Sequence, residues 1–391
     1  PPRLAALVPE TSASTNSAIW ATSSRRPGFS GSGSRCQLRQ RRLNSGSETA
    51  DNGLQASQKQ AEIAMAEVPV TTGLVTVFGG SGFVGRHIVR ALARDGWRIR
   101  SASRRPDLAG YLQPMGVVGQ IHAVQANLRY PDSVEAAVQG ADVVINSVGV
   151  LASTGKQTFE NIHDEGARAV AKAAKAAGAR TFIHISAIGA DTQSDSKYAR
   201  SKAEGERAVL EVFPTAVIFR PSIVFGPEDE FFNRFASMAQ MSPFLPLIGG
   251  GQTKFQPVYV GDVAGAVKAA VDGKAKPGTI YELGGPEVLS FRELLDRTLE
   301  WTGRNRFYLR MPFWAAKLQA VATSPLPNAL RPVTLDQIRL LQHDNVVGSK
   351  AQKDGRALAG LGISHPHSVA AIVPAYLERF KAKGQYSSYR G

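Results

Sequence analysis

Leu74-Val75-Thr76-Val77-Phe78-Gly79-Gly80-Ser81-Gly82-Phe83-Val84-Gly85-Arg86-His87-Ile88-Val89 begins with apolar and β-branched residues, breaks at a glycine cluster, and continues with helical spacing. Strand, glycine turn and helix in that order is the setting in which a chain holds the phosphates of a nucleotide. Gly79 permits a tight turn, Gly82 lets backbone N–H groups approach a pyrophosphate, and Gly85 lets helix pack closely on strand. Gly80, Ser81, Phe83 and Val84 complete the phosphate loop. Alone the pattern is weak, because any glycine-rich turn has this composition.

The residues on either side give it weight. Arg98 to Ser103, Gly119 to Gln125, Asp142 to Asn146, Thr181 to Ile185, Ala216 to Phe219 and Thr279 to Glu282 read as strands, with helices between them such as Asp132 to Val138 and Gly166 to Ala177. Regular alternation predicts an α/β fold, a Rossmann-type doubly wound parallel sheet with ligands at the carboxyl ends of its strands. An acid about 20 residues after the turn would hold a ribose 2′-hydroxyl. Here Trp97 to Pro106 contains none, and Ser103, Arg104 and Arg105 stand in its place, which favours a 2′-phosphate and so NADP(H) over NAD(H). Asn127 and Leu128 follow the third strand on the adenine side. Asn146, Ser147, Val148 and Gly149 follow the fourth, toward the nicotinamide ribose.

Tyr198 and Lys202 are four residues apart and share one helix face. An ammonium there can lower the phenol's pKa, as proton transfer coupled to hydride transfer requires. Ser186 is the candidate third member, although in one register that position falls on Ala187. Arg220-Pro221-Ser222-Ile223-Val224-Phe225-Gly226-Pro227 follows the sixth strand and brings Pro221 and Ile223 to the nicotinamide end.

The glycine spacing 79, 82, 85, the YARSKAEGE stretch at 198–206, RPSIVFGPEDEFFNRFA at 220–236 and LPLIGGGQTKFQPVYVGDVA at 245–264 resemble the NAD-dependent epimerase/dehydratase superfamily of extended and atypical short-chain dehydrogenase/reductases. Within it they are most similar to the Rossmann-type accessory subunits of respiratory complex I (NADH:ubiquinone oxidoreductase). That resemblance implies a tightly held NADPH, other complex I subunits as partners, a place on the matrix side of the mitochondrial inner membrane, and a role in assembly or stability without turnover. The alternative it leaves open is an active NADP-dependent reductase or sugar-nucleotide epimerase/dehydratase.

Residues 67–391 are expected to hold the dinucleotide-binding domain with a smaller C-terminal α/β lobe interleaved at about 227–260 and 284–391. Asp229 to Met241 and Met311 to Ala322 read as helices. The second, with Phe313, Trp314, Leu318 and Val321, is expected to be buried in preference to lying on a membrane or a partner. Asp262 is expected to cap the helix after Val260. His163, His184, His343, His365 and His367 show no metal-ligand spacing and read as single core or surface residues, and no metal is expected.

Residues 1–66 are rich in Arg and Ser and poor in acids, the composition of an organellar transit peptide and linker. Arg41 to Ser45 reads as a mitochondrial processing site, with a plastid address left open. This segment carries +4 of the formal +14, so targeting does not account for most of the charge. The rest suits cofactor phosphates, acidic neighbours or anionic lipid. No nucleic acid is expected, because the basic segment lacks interleaved aromatics and a lysine run. One cysteine, Cys36, excludes an internal disulfide framework and any multi-cysteine metal centre.

Overall fold

The structure, a computed structural model of the 391-residue chain, describes residues 73–150, 155, 157–323 and 333–381. The basic 1–66 segment, its processing site and Cys36 lie outside the described residues.

In chain order the first half runs β1 (Leu74–Phe78), α1 (Phe83–Arg94), β2 (Arg98–Ser103), β3 (Ile121–Gln125), α2 (Pro131–Val138), β4 (Val143–Asn146), α3 (Glu165–Ala176), β5 (Thr181–Ile185), α4 (Lys197–Val212) and β6 (Val217–Pro221). The second half runs β7 (Val224–Phe225), α5 (Phe232–Met241), β8 (Phe244–Ile248), β9 (Lys254–Phe255), β10 (Val258–Tyr259), α6 (Val260–Val271), β11 (Ile280–Leu283), β12 (Leu289–Ser290), α7 (Phe291–Thr302), β13 (Phe307–Met311), α8 (Phe313–Ala322), α9 (Leu335–Leu340), α10 (Ser349–Lys353) and α11 (Val369–Leu377).

Seven strands form one parallel sheet in the order β11-β6-β5-β4-β1-β2-β3. A parallel sheet covered on both faces needs strands that are apolar on both. Val75, Val77, Ile145 and Ile183 face one core with Ile88 and Val263, while Phe78, Val144 and Phe182 face the other with Val134, Val170 and Val209. The doubly wound fold read from the sequence is therefore the fold observed. The third strand starts later than expected, at Ile121, because Gly119 has φ +80° and turns the chain.

Beyond β6 the chain alternates between sheet and lobe. In the lobe β7 pairs with β10, β9 with β12, and β8 with β13 in parallel register, Phe244 opposite Phe307 and Ile248 opposite Met311. Phe225, Phe232, Phe255 and Phe291 form its aromatic core with Val373 and Leu377 of α11.

Three local expectations are corrected here. Helix α5 starts at Phe232, and Asp229, instead of lying within it, accepts the backbone N–H of Phe232 at 2.7 Å and of Asn233 at 3.2 Å. Asp262 does not cap α6. It sits in that helix's first turn, where its carboxylate accepts from the backbone N of His367 and bonds the His367 ring, both at 2.8 Å. Met311 ends a strand, and α8 buries only Ala316 and Ala320, leaving Trp314, Leu318 and Val321 56–70% exposed. Its two polar residues, Lys317 and Gln319, project to opposite sides, so periodicity could not show which face was outside. No helix among the described residues is long and apolar enough to cross a membrane.

Candidate functional site

The glycine turn is built as its residues require. Gly79 has φ +75°, and its carbonyl accepts the Gly82 N–H at 2.9 Å. Helix α1 then starts with no side-chain cap and no acid in its first turn. Its positive end is left to an anion. A Cβ on Gly80 would stand 2.5 Å from Ser101 Oγ, and one on Gly85 would stand 2.1 Å from the Gly79 carbonyl oxygen. Two residues missed in the sequence brace this loop. Arg86 donates to the Gly82 and Ser81 carbonyls at 3.1 and 3.3 Å, and Tyr111, whose ring lies under that guanidinium at 5.0 Å, donates to Ser81 O at 2.5 Å. Arg86 stands beside the fingerprint and was findable. Tyr111 comes from a 3₁₀ segment, Pro106–Met115, that has no local signature.

At the end of β2, Ser103 Oγ is buried with no hydrogen-bond partner among the described residues. Arg104 is exposed, and Arg105 pairs with Asp107 at 2.9 Å. Asn127 Oδ1 accepts the Arg129 N–H, and Leu128 packs where a Cβ on Gly166 would fall. An uncapped helix end, a glycine cradle and an orphaned hydroxyl beside arginines fit a dinucleotide.

Helix α4 carries Tyr198 and Lys202 on its buried face. Lys202 Nζ donates to the Ile185 carbonyl at 3.2 Å and stands where a Cβ on Gly149 would approach to 3.4 Å. Burial brings this ammonium down to about 8, with Glu206 opposing the shift. The phenol behaves against expectation. Burial first, then the Asp336 carboxylate, pushes Tyr198 up to about 12. Asp336 comes from α9 and accepts from Ser196 Oγ, Lys197 N and Tyr198 N at 2.8, 2.7 and 3.0 Å, so a lobe residue closes the N-terminus of the Tyr–Lys helix.

His163 and His184, read from the sequence as single core or surface residues, are core residues, each 1% exposed, and both lie close to Lys202. Val150 N donates to His163 Nε2 at 3.0 Å, which leaves Nδ1 to donate to Ser201 Oγ at 2.9 Å, and Ser201 donates on to the Tyr198 carbonyl. Burial, then Lys202 and His184, brings His163 down to about 2, so the ring is neutral. Phe159 stacks on His163, and Tyr198 meets both rings edge-on. The His184 ring accepts from Asn146 Nδ2 at 3.3 Å, its Nε2 is buried without a partner among the described residues, and burial followed by Lys202 brings it to about 3. The Asn146 amide is thus engaged within the fold, with Oδ1 accepting the Val148 N–H.

A cleft of ≈ 1390 Å³ runs from the start of α1 past Tyr198 and Lys202 into the lobe. Of the residues anticipated from sequence, Gly82, Phe83, Val84, Gly85, Ser147, Gly149, Ser186, Tyr198, Lys202, Pro221 and Ile223 line it, and so does Ala187. Gly79, Gly80, Ser81, Ser103, Arg104, Arg105, Asn127, Leu128, Asn146 and Val148 do not. Ser186 is 4% exposed and its Oγ has no partner among the described residues, so the hydroxyl is available to a ligand. Asn345 closes the floor. Its Oδ1 is 2.6 Å from Ser222 Oγ, its Nδ2 donates to Ile188 O, and its backbone bonds Lys254 and Gln256.

The lowered Lys202 has a measurable consequence. The unfolded chain keeps that proton up to about pH 10.5 and the fold releases it near 8. Below pH 8 both states are protonated and the full cost of burying the ammonium stands. Between 8 and 10 the unfolded chain binds more protons, so stability rises with pH, by roughly 3 kcal/mol at most. Above pH 10 the raised Tyr198 phenol acts in the opposite sense. Urea unfolding at about pH 7.5 and 9.5 should show this rise, and Lys202→Met should abolish it. An equal rise in the variant would assign it elsewhere.

Residues 75–284 match the NAD dependent epimerase/dehydratase family. The chain is 38% identical to the mitochondrial NADH dehydrogenase (ubiquinone) 1 alpha subcomplex subunit 9 of Arabidopsis thaliana, over 72% of this chain and 73% of that protein. It is 36% identical to a ceramide reductase of Caulobacter vibrioides, over 50% of this chain and 60% of that one. Among solved structures, the NADPH-dependent quinone oxidoreductase QOR2 of Escherichia coli, complexed with NADPH, superposes with a TM-score of 0.60 at 20% identity, over 78% of this chain and 99% of that one, which speaks for the fold alone. With its glycine turn, its Tyr198–Lys202 helix and its parallel sheet, the chain belongs to the NAD dependent epimerase/dehydratase family.

Proposed function

We propose that the chain is a nucleotide-holding accessory subunit of mitochondrial NADH:ubiquinone oxidoreductase, with NADPH as its nucleotide and no turnover of its own. The observation that carries this reading is the likeness to the Arabidopsis thaliana subunit over most of both chains. The Tyr198 phenol, which burial and then Asp336 push up to about 12, far from a working pH, is in keeping with a site that does not turn over. On this reading the partners are other complex I subunits on the matrix face of the inner membrane. The exposed Trp314, Leu318 and Val321 would meet anionic lipid there, with Lys317 on the same helix.

Solubilised mitochondrial membranes, run on native gels and analysed by mass spectrometry, should place the protein with complex I and release about one NADPH per chain on denaturation. Migration only as a free species would sink the proposal. NADPH preference is assigned to Arg104 and Arg105 at the end of β2. Replacing both by alanine should weaken NADPH binding by about tenfold or more, the worth of a charge-assisted contact. NADH binding should stay unchanged, and equal losses for both nucleotides would refute that assignment.

A second reading, an NADP-dependent reductase, is favoured by the intact Tyr198–Lys202 pair and the Ser186 hydroxyl in the same cleft, which has no partner among the described residues. It is decided by whether bound NADPH is oxidised when carbonyl compounds are offered.

A further inference from the structure

We infer that the lobe half of the cleft binds the hydrocarbon chain of a single-chain amphiphile, with its polar head at Ser186, Tyr198 and Lys202. This rests on the nucleotide reading above only in that the pyrophosphate occupies the Gly82–Gly85 side and the nicotinamide end reaches toward Pro221 and Ile223.

Size is the first argument. At ≈ 1390 Å³ the cleft exceeds the roughly 300–1,000 Å³ of an ordinary small-molecule site. The far part of the nucleotide site, at Gly79–Ser81 and Arg104–Arg105, lies outside it, so only the pyrophosphate and nicotinamide part competes for the space. The second argument is the apolar stretch of the far wall, Phe231, Phe235, Met238, Pro246, Ile248 and Leu340, which stands beside the polar Glu230, Arg234 and Gln337 of the same lobe. The third is the Ser186 hydroxyl, buried and unpartnered among the described residues at the opposite end, which calls for a ligand with one polar terminus.

The route to the outside completes the case. Along β8, Phe244 alternates onto the same face as Pro246 and Ile248, which line the cleft. Strand β13 sets Phe307 opposite Phe244 and Leu309 opposite Pro246, and the Phe244 and Phe307 rings are 6.1 Å apart. These three side chains are 54–74% exposed. The apolar wall thus continues onto the surface as an apolar strip. A ligand arriving from water would not need that strip, whereas one leaving a lipid phase would cross it with its chain covered throughout.

The test uses the full chain purified with its nucleotide and a series of 2-alkanones from about eight to about sixteen carbons, the longest bearing a mid-chain diazirine. Affinity should rise about fourfold per added methylene. Photolabel should fall on peptides carrying Phe231–Met238 and Pro246–Ile248. Met238→Trp, which fills the wall, should cut labelling by about tenfold, as though roughly two methylenes were lost, with nucleotide content unchanged. Leu340→Trp provides a second block should the first variant alter the circular dichroism spectrum. An affinity flat with chain length, label confined to Phe307–Val321, or label indifferent to both substitutions would overturn the inference. Chain-length dependence persisting in a protein that carries no nucleotide would sink the nucleotide reading and leave this one standing.

Discussion

Gly85→Ala strips the protein of its nucleotide and lowers its stability by about 1–3 kcal/mol, the cost of overpacking. The added Cβ would fall 2.1 Å from the Gly79 carbonyl oxygen and 2.8 Å from both Gly79 C and Gly80 Cα. Those neighbours are backbone, so no rotamer change relieves the clash and helix α1 must lift away from the turn. Lifting withdraws the first-turn N–H groups from the pyrophosphate. Each charged hydrogen bond lost is worth about 1.5–3 kcal/mol, and two of them amount to at least about a hundredfold in affinity. Nucleotide released from the denatured variant and its thermal midpoint measure the two effects separately. A variant that keeps its full nucleotide complement would show that α1 does not serve as the phosphate site.

Glu206→Ala should cost more in stability, about 3–5 kcal/mol by urea unfolding, because it strands a buried charge. Arg220 donates to the two Glu206 oxygens at 2.8 and 2.6 Å, and the paired side chains are 22% and 4% exposed. Burial alone would lower the guanidinium's pKa, but the hydrogen bond and charge of Glu206, with Glu282 and Asp191 behind, raise it. Glu206 lies one turn beyond Lys202 and Arg220 is on β6, so the pair fastens the Tyr–Lys helix to the sheet. Losing the carboxylate also removes the one influence that raises the Lys202 pKa, which should fall further below 8. Glu206→Gln, which keeps an acceptor, should recover part of the loss. A cost under about 1 kcal/mol for the alanine variant would reduce the bridge to the rank of a surface pair.

What the sequence revealed and what it hid divide along the range of the interactions. The parallel strands were visible because each is a short run that must be apolar on both faces, as in Val75–Phe78 and Val143–Ile145. The phosphate turn was visible because it depends on three glycines within seven residues. Tyr198 and Lys202 were visible because a helix brings positions four apart together. By contrast, Asp336 meets the start of α4 across about 140 residues and Asn345 reaches Ser222 across 123. His163 enters the site through a π turn, Glu160–Asp164, just before α3. None of these has a local pattern, the first two because they are set by how the lobe seats on the sheet and His163 because its partners, Val150 and Ser201, come from other elements of the sheet half. The same reason defeated the expectation for the phenol. From the Tyr198–Lys202 spacing one sees the ammonium that favours ionisation, but not the carboxylate and the burial that oppose it.

Asn345 also bears on the order in which the molecule can be made. Strands β1 to β5 and their helices use only residues up to 212, so that much of the sheet can form while the rest of the chain is still emerging N-terminus first. The floor between Ser222, Ile188 and Lys254–Gln256, where Gln256 N already reaches Ser222 Oγ at 3.3 Å, gains the bonds that Asn345 makes to all three only when residue 345 arrives. For more than a hundred residues of synthesis or threading, the carboxyl ends of the strands stand open, and the glycine turn is complete before there is a closed cleft beside it. A nucleotide can therefore be captured by the early sheet and enclosed by the late lobe, whereas a chain that ends short of residue 345 would keep the turn without the enclosure.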